Sequence, residues 1–187
     1  MDNKLIENFP KPQGFFTVKL ISPEGEVVEE KFSKNVITYT ATNIFARSLG
    51  GDTSFNPSHI LVGGSNIIPG VFPTVSREDT ELDASTDPVV DPVNHIRSAL
   101  PIATSSFTSS PTDTNTQPAQ QNSNVVTYTA VMPGFPDDTD LNGKNFFEAG
   151  IISKVGSSDF LVTHQFHEAI QKLEGFQLVY TWSIRFI

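Results

Sequence analysis

Phe176-Gln177-Leu178-Val179-Tyr180-Thr181-Trp182-Ser183-Ile184-Arg185-Phe186-Ile187 carries a large apolar or aromatic side chain at every second position. Successive side chains of an extended chain point to opposite faces, so Phe176, Leu178, Tyr180, Trp182, Ile184 and Phe186 line one surface. Gln177, Thr181, Ser183 and Arg185 line mostly the other. Each large apolar side chain contributes roughly 1.5–3 kcal/mol on burial, which places this face in a core. The stretch is a core strand, and the rest of the chain is read around it.

The composition agrees with a β protein. Among 187 residues there are 13 Pro and 12 Gly, only 18% charged residues, and Phe is the commonest aromatic. That balance suits short strands joined by turns. A length of this order fits one all-β domain. The net charge of −9 and the scattered Lys and Arg argue against neutralising a nucleic-acid backbone. Absence of Cys removes disulfides, thiolate metal sites and cysteine nucleophiles together. The start Met1-Asp2-Asn3-Lys4-Leu5 lacks a basic, apolar secretion signal, and no apolar run reaches about 18 residues. The expectation is a soluble chain made in a cytoplasm, with no membrane and no nucleic-acid partner.

Residues 1–14, with Pro10, Pro12 and Gly14, read as an extended arm. Phe16, Val18 and Leu20 alternate into the turn Ser22-Pro23-Glu24-Gly25, and Glu26–Phe32 returns, which makes a hairpin. Thr38–Leu49 is the one candidate helix, with Ile44, Phe45 and Leu49 on a face and Gly50-Gly51 as its stop. His59–Val62 is a short strand; residues 65–100 read as a long loop, and 103–122, rich in Ser, Thr, Pro, Gln and Asn, as too polar to order itself. Val125–Met132, Phe146–Ser153 and Phe160–Phe166 are further strands. The predicted fold is all-β: a single two-layer antiparallel β-sandwich over 15–187, with one short helix and a polar low-complexity insertion at about 84–122.

Candidate chemistry is sparse. Asp138-Thr139-Asp140-Leu141-Asn142-Gly143 has the alternating oxygens and glycine turn of a calcium loop. It lacks the acid at the twelfth position, which is Ala149, and Glu148 sits one early, so an acidic hairpin loop is the better reading. His164 and His167, three apart on a strand, point to opposite faces and do not pair on a metal. His59 and His95 are isolated. Glu78, Asp79, Glu81, Asp83, Asp87 and Asp91 form one linear acidic segment and read as solvated rather than as a glycosidase pair. Tyr128, Tyr180 and Trp182 stand in core alternation, which disfavours a sugar platform. The expectation is no catalytic residue, no metal site and no cofactor.

Four blocks in order resemble a family of small structural proteins of tailed bacteriophages. They are Lys34-Asn35-Val36-Ile37-Thr38 running into the Ala41–Leu49 helix, His59-Ile60-Leu61-Val62-Gly63-Gly64, Glu78-Asp79-Thr80-Glu81-Leu82, and Phe147-Glu148-Ala149-Gly150-Ile151-Ile152. The ending Gln177–Ile184 is also similar. The resemblance implies a non-enzymatic virion component of the tail, baseplate or fibre attachment, with capsid decoration as the alternative within that class. It implies other virion structural proteins as partners. Material between Asp83 and Val125 is longer than the family's compact pattern. The arm at 1–14 and the insertion at about 84–122 are then expected to make subunit contacts in a homo-oligomer. A carbohydrate-binding module is the reading from another class.

Overall fold

The computed structural model describes residues 12–65, 68, 70–82, 96–108, 125–134 and 141–185. Most of the arm at 1–14, His95, Asp83, Asp87, Asp91, Asp138–Asp140 and Phe186 lie outside the described residues, as does the side chain of Leu49. In chain order the elements are β1 (Gln13–Ile21), β2 (Val27–Ile37), α1 (Tyr39–Leu49), a single 3₁₀ turn at Thr53–Phe55, β3 (His59–Ser65), β4 (Ile96–Pro101), β5 (Thr104–Thr108), β6 (Val125–Met132), β7 (Asn145–Val155), β8 (Ser158–Leu161), β9 (Thr163–Gln171) and β10 (Gln177–Arg185). No helix among the described residues is long and apolar enough to cross a membrane.

The protein is all-β, and every strand pairing is antiparallel. Where a sandwich would have two separate sheets, the strands share one hydrogen-bonded path, β4-β3-β7-β9-β2-β1-β10-β6-β5, with β8 added beside β7. The path curls round one core. That core takes Phe16, Leu178, Tyr180 and Trp182 from one half and Ile60, Val62, Phe146 and Ile151 from the other. In β10 the inner set Leu178, Tyr180, Trp182 and Ile184 is fully buried, as its alternation requires.

Local chemistry sets the element boundaries. Gly25 N–H bonds the Ser22 carbonyl at 2.9 Å, and its φ of +87° lies in the left-handed region that a side chain would resist. Thr38 caps α1: its Oγ1 accepts from Ala41 N–H and donates to the Leu161 carbonyl at 2.6 Å, which fastens the helix start to the β8–β9 junction. The expected Phe160–Phe166 strand is broken there into β8 and β9: the Val162 N–H still bonds the Ile151 carbonyl, but the Ile151 N–H is taken by Thr163 Oγ1 and the Val162 carbonyl accepts from the Thr38 N–H.

Two segments differ from the sequence expectation. Ile96–Pro101 and Thr104–Thr108, placed in loop and low-complexity stretches, are strands. Ile102 N–H bonds the Ser58 carbonyl and Ala103 N–H the Thr129 carbonyl, so β4 leaves β3 and continues almost directly into β5 beside β6. Ile96, Leu100 and Ile102 pack on the main core, and the polar β5 that follows orders because its backbone groups find ladder partners on β6, a gain that composition does not display.

Candidate functional site

The outer face of the β3-β7-β9 half is where titratable side chains meet. A bulge in β7 between Phe146 and Glu148 shifts the register against both neighbours. Phe146 and Ala149 face the main core, while Phe147 packs outside with Phe166. Glu148 follows Phe147 to that outer side and becomes fully buried beneath the segment 70–82. Leu82 fixes one end of this strap among Leu61, Ile152 and Leu161. Phe72 and Val75 pack on Phe147 and Phe166. Tyr39 N–H bonds the Arg77 carbonyl at 2.8 Å, and the Arg77 guanidinium lies 4.6 Å from the Tyr39 ring centre.

At the centre sits His164, with no solvent exposure. Its Nδ1 lies 2.6 Å from Asp79 Oδ2 and its Nε2 2.6 Å from Glu148 Oε1. An imidazole with a carboxylate at each ring nitrogen is satisfied as an imidazolium donating both protons. Burial pushes the His164 pKa down, but the hydrogen bonds and charges of Glu148 and Asp79 outweigh it and hold it above its ordinary value. Asp79 is itself anchored by Ser76 N–H at 2.8 Å. The cluster therefore ties three elements together: the strap, β7 and β9.

That geometry argues against catalysis at this cluster. Both ring nitrogens are occupied, and neither His164 nor Glu148 touches solvent. A general base needs a free nitrogen within reach of a substrate proton. Among the described residues no group of three His, Cys, Asp or Glu is arranged to hold a metal ion. In this cluster the carboxylates sit at opposite ends of the ring.

The remaining candidates fall where their surroundings put them. His167 does point to the opposite face from His164: it is 5% exposed, with its ring 5.3 Å from Phe16 and 6.4 Å from Tyr180. Its Nδ1 donates to the Glu168 carbonyl at 2.8 Å, and burial lowers its pKa to about 4. His59 Nδ1 lies 2.9 Å from Ser58 Oγ. Asn142 Oδ1, at the end of the acidic loop, accepts from the buried Lys172 ammonium at 3.0 Å, and Gly143 N–H bonds the Lys172 carbonyl. Tyr180 and Trp182 are fully buried, so neither offers a ring face to a sugar, while Tyr128 is half-buried.

An open groove of about 810 Å³ lies between α1 and β8, with Ile44, Phe55 and Phe160 in its walls and Arg47, Thr80 and Asp159 at its polar points. Arg47 is paired with Asp52 at 3.2 Å, and Asp159 with Arg97 at 3.5 Å.

His164 and His167 lie on opposite faces, as the strand period predicts, but Asp79 leaves the acidic run that the sequence pattern makes solvated. Glu78 and Glu81 are exposed, whereas Asp79 turns in to the histidine. Glu148, set aside as an off-register calcium ligand, is the other half of the cluster. The available signal was an acid embedded among apolar residues in Phe147-Glu148-Ala149-Gly150-Ile151, since a buried carboxylate requires a partner. Gly150 shows how tight the place is: a Cβ there would sit 2.5 Å from the Thr163 carbonyl oxygen and 2.7 Å from Leu161 Cδ1. No protein-family model matches the chain, and neither does a curated protein or a solved structure.

Proposed function

We propose that this protein is a non-enzymatic structural component of a tailed-phage virion, belonging to the tail, baseplate or fibre attachment and acting through contacts with neighbouring subunits. What supports the non-enzymatic part of the reading is the Asp79–His164–Glu148 cluster, in which both ring nitrogens of a fully buried histidine are taken up by carboxylates; the virion part rests on the resemblance of the sequence blocks. The sequence blocks that resemble phage structural proteins meet round it. Val36 pairs with His164 across β2–β9, Thr38 binds the β8–β9 junction, Gly63 pairs with Glu148, and Asp79 closes the cluster.

The segments assigned to subunit contact narrow in this reading. Residues 96–108 build the corner of the sheet, so the insertion's contact role passes to 84–95 and 109–122, together with the arm. Antibody raised against the recombinant chain, applied to purified particles from the lysate in which the chain is made, is expected to label the tail. Label on the head shell would move the role to capsid decoration, and absence from particles would overturn the proposal.

A further inference from the structure

The two halves of the curled sheet have unlike outer faces. That of β3-β7-β9 is covered by the strap. The other, on β2-β1-β10-β6-β5, carries no second layer among the described residues, and its side chains remain partly exposed along β1, β10 and β6. The registers align these outward side chains in rows. Phe32, Thr17, Thr181 and Thr129 form one row across four strands. Lys34, Phe15, Ser183 and Thr127 form the next, in which the Thr127 and Ser183 hydroxyls lie 2.9 Å apart. Phe32 is 65% exposed and stacks on Phe15 with ring centres 6.2 Å apart.

We infer that this face is the contact between two copies of the chain, packed sheet on sheet. The inference deepens the assembly reading above and rests on it only for the expectation that the chain self-associates. Three physical features select a second copy as the occupant. The first is charge: a chain of net charge −9 repels itself, and the central strands β10 and β6 present no acidic side chain on this face. Its charged groups stand towards the margins, where Lys19 is already paired with Glu30 at 3.3 Å.

The second feature is chemistry. Ser and Thr hydroxyls both donate and accept, so rows of them are complementary to themselves under a two-fold axis, which groups of fixed polarity are not. β-Branched side chains are also the ones that interdigitate at the spacing of about 10 Å between packed sheets. The third is area. Five strands spaced by ~4.8 Å and of roughly nine residues' length span on the order of 700 Å². A standard stable interface uses about 800 Å² per partner, so the face is of the required size, with Phe32 as an apolar anchor at its flank.

The test is sedimentation of the full chain over a concentration series. Wild type is expected to dimerise. Thr181→Arg places a cation at the centre of the face, where two-fold packing brings it against its own copy, and is expected to weaken the dimer by at least about tenfold. Thr129→Lys, on the neighbouring strand, is the second variant should the first lose its β-sheet circular dichroism. Val71→Arg, at a residue 86% exposed on the strap, is the control and should leave dimerisation unchanged. A monomeric wild type, or a dimer indifferent to a folded variant of the face, would overturn this interface. Neither result bears on whether the chain is found in particles, which the antibody experiment reads separately.

Discussion

His164 and His167 lie three residues apart on one strand and live in opposite electrostatic worlds. His164 faces outward and is clamped between two carboxylates as a buried cation. His167 faces inward against Phe16 and Tyr180, with one nitrogen on a backbone carbonyl and the other without a partner. Both are almost wholly out of water. Burial penalises the charged form of each; what differs is whether acids converge on the ring to offset it. The bulge in β7 and the strap deliver those acids to one face only.

The contrast breaks most severely if the outer ring is removed. His164→Leu leaves Glu148 buried and Asp79 half-buried without their counter-charge, and is expected to cost about 3–5 kcal/mol of unfolding free energy, read by urea denaturation. Replacing His164, Glu148 and Asp79 together by apolar residues of similar size should recover much of that loss, because no orphaned charge remains. A His164→Leu loss below about 1 kcal/mol would mean that the cluster fastens nothing.

How much of this was legible in the sequence depends on the range of the interactions. Alternation in β10 and the Ser22–Gly25 turn are local facts, and both stand as read. The opposite faces of His164 and His167 follow from strand period alone. Asp79 was beyond reach because its partner lies 85 residues away, and only the packing of Phe72, Val75 and Leu82 carries the strap across β7 and β9. β4 and β5 are hidden in different ways. In β4 only Ile96 and Leu100, with Ile102 after it, mark the core face, too few to stand out beside the Pro-rich, charged stretch before them, whereas β5 is held by backbone pairing to β6.

A smaller effect separates the histidines by pH. His164 has a raised pKa, so the stability it contributes is full below the ordinary histidine value and fades as pH rises through the raised one. His167 is lowered from 6.5 to about 4, so between those limits the unfolded chain binds the extra proton and stability falls on acidification. Unfolding free energies measured across pH should therefore show one loss as pH rises above the ordinary histidine value and another as it falls from that value towards 4. His164→Leu should remove the alkaline contribution and leave the part of the acid loss that comes from His167. An alkaline limb unchanged by that substitution would show that His164 is not the cation of its cluster.

The smallest expected effect is at the inner ring. His167→Phe keeps an aromatic ring in the nest of Phe16 and Tyr180 and removes a nitrogen that has no hydrogen-bond partner. It gives up the bond to the Glu168 carbonyl, a neutral hydrogen bond of about 1 kcal/mol, and gains apolar surface in an apolar site. These terms nearly cancel, so at neutral pH the variant should lie within about 1.5 kcal/mol of wild type. Under acid its advantage should grow, because the proton that wild type must keep off a buried imidazole has nowhere to bind. A variant several kcal/mol less stable at neutral pH, with the acid limb retained, would place a charge or an essential hydrogen bond at His167 and erase the contrast with His164.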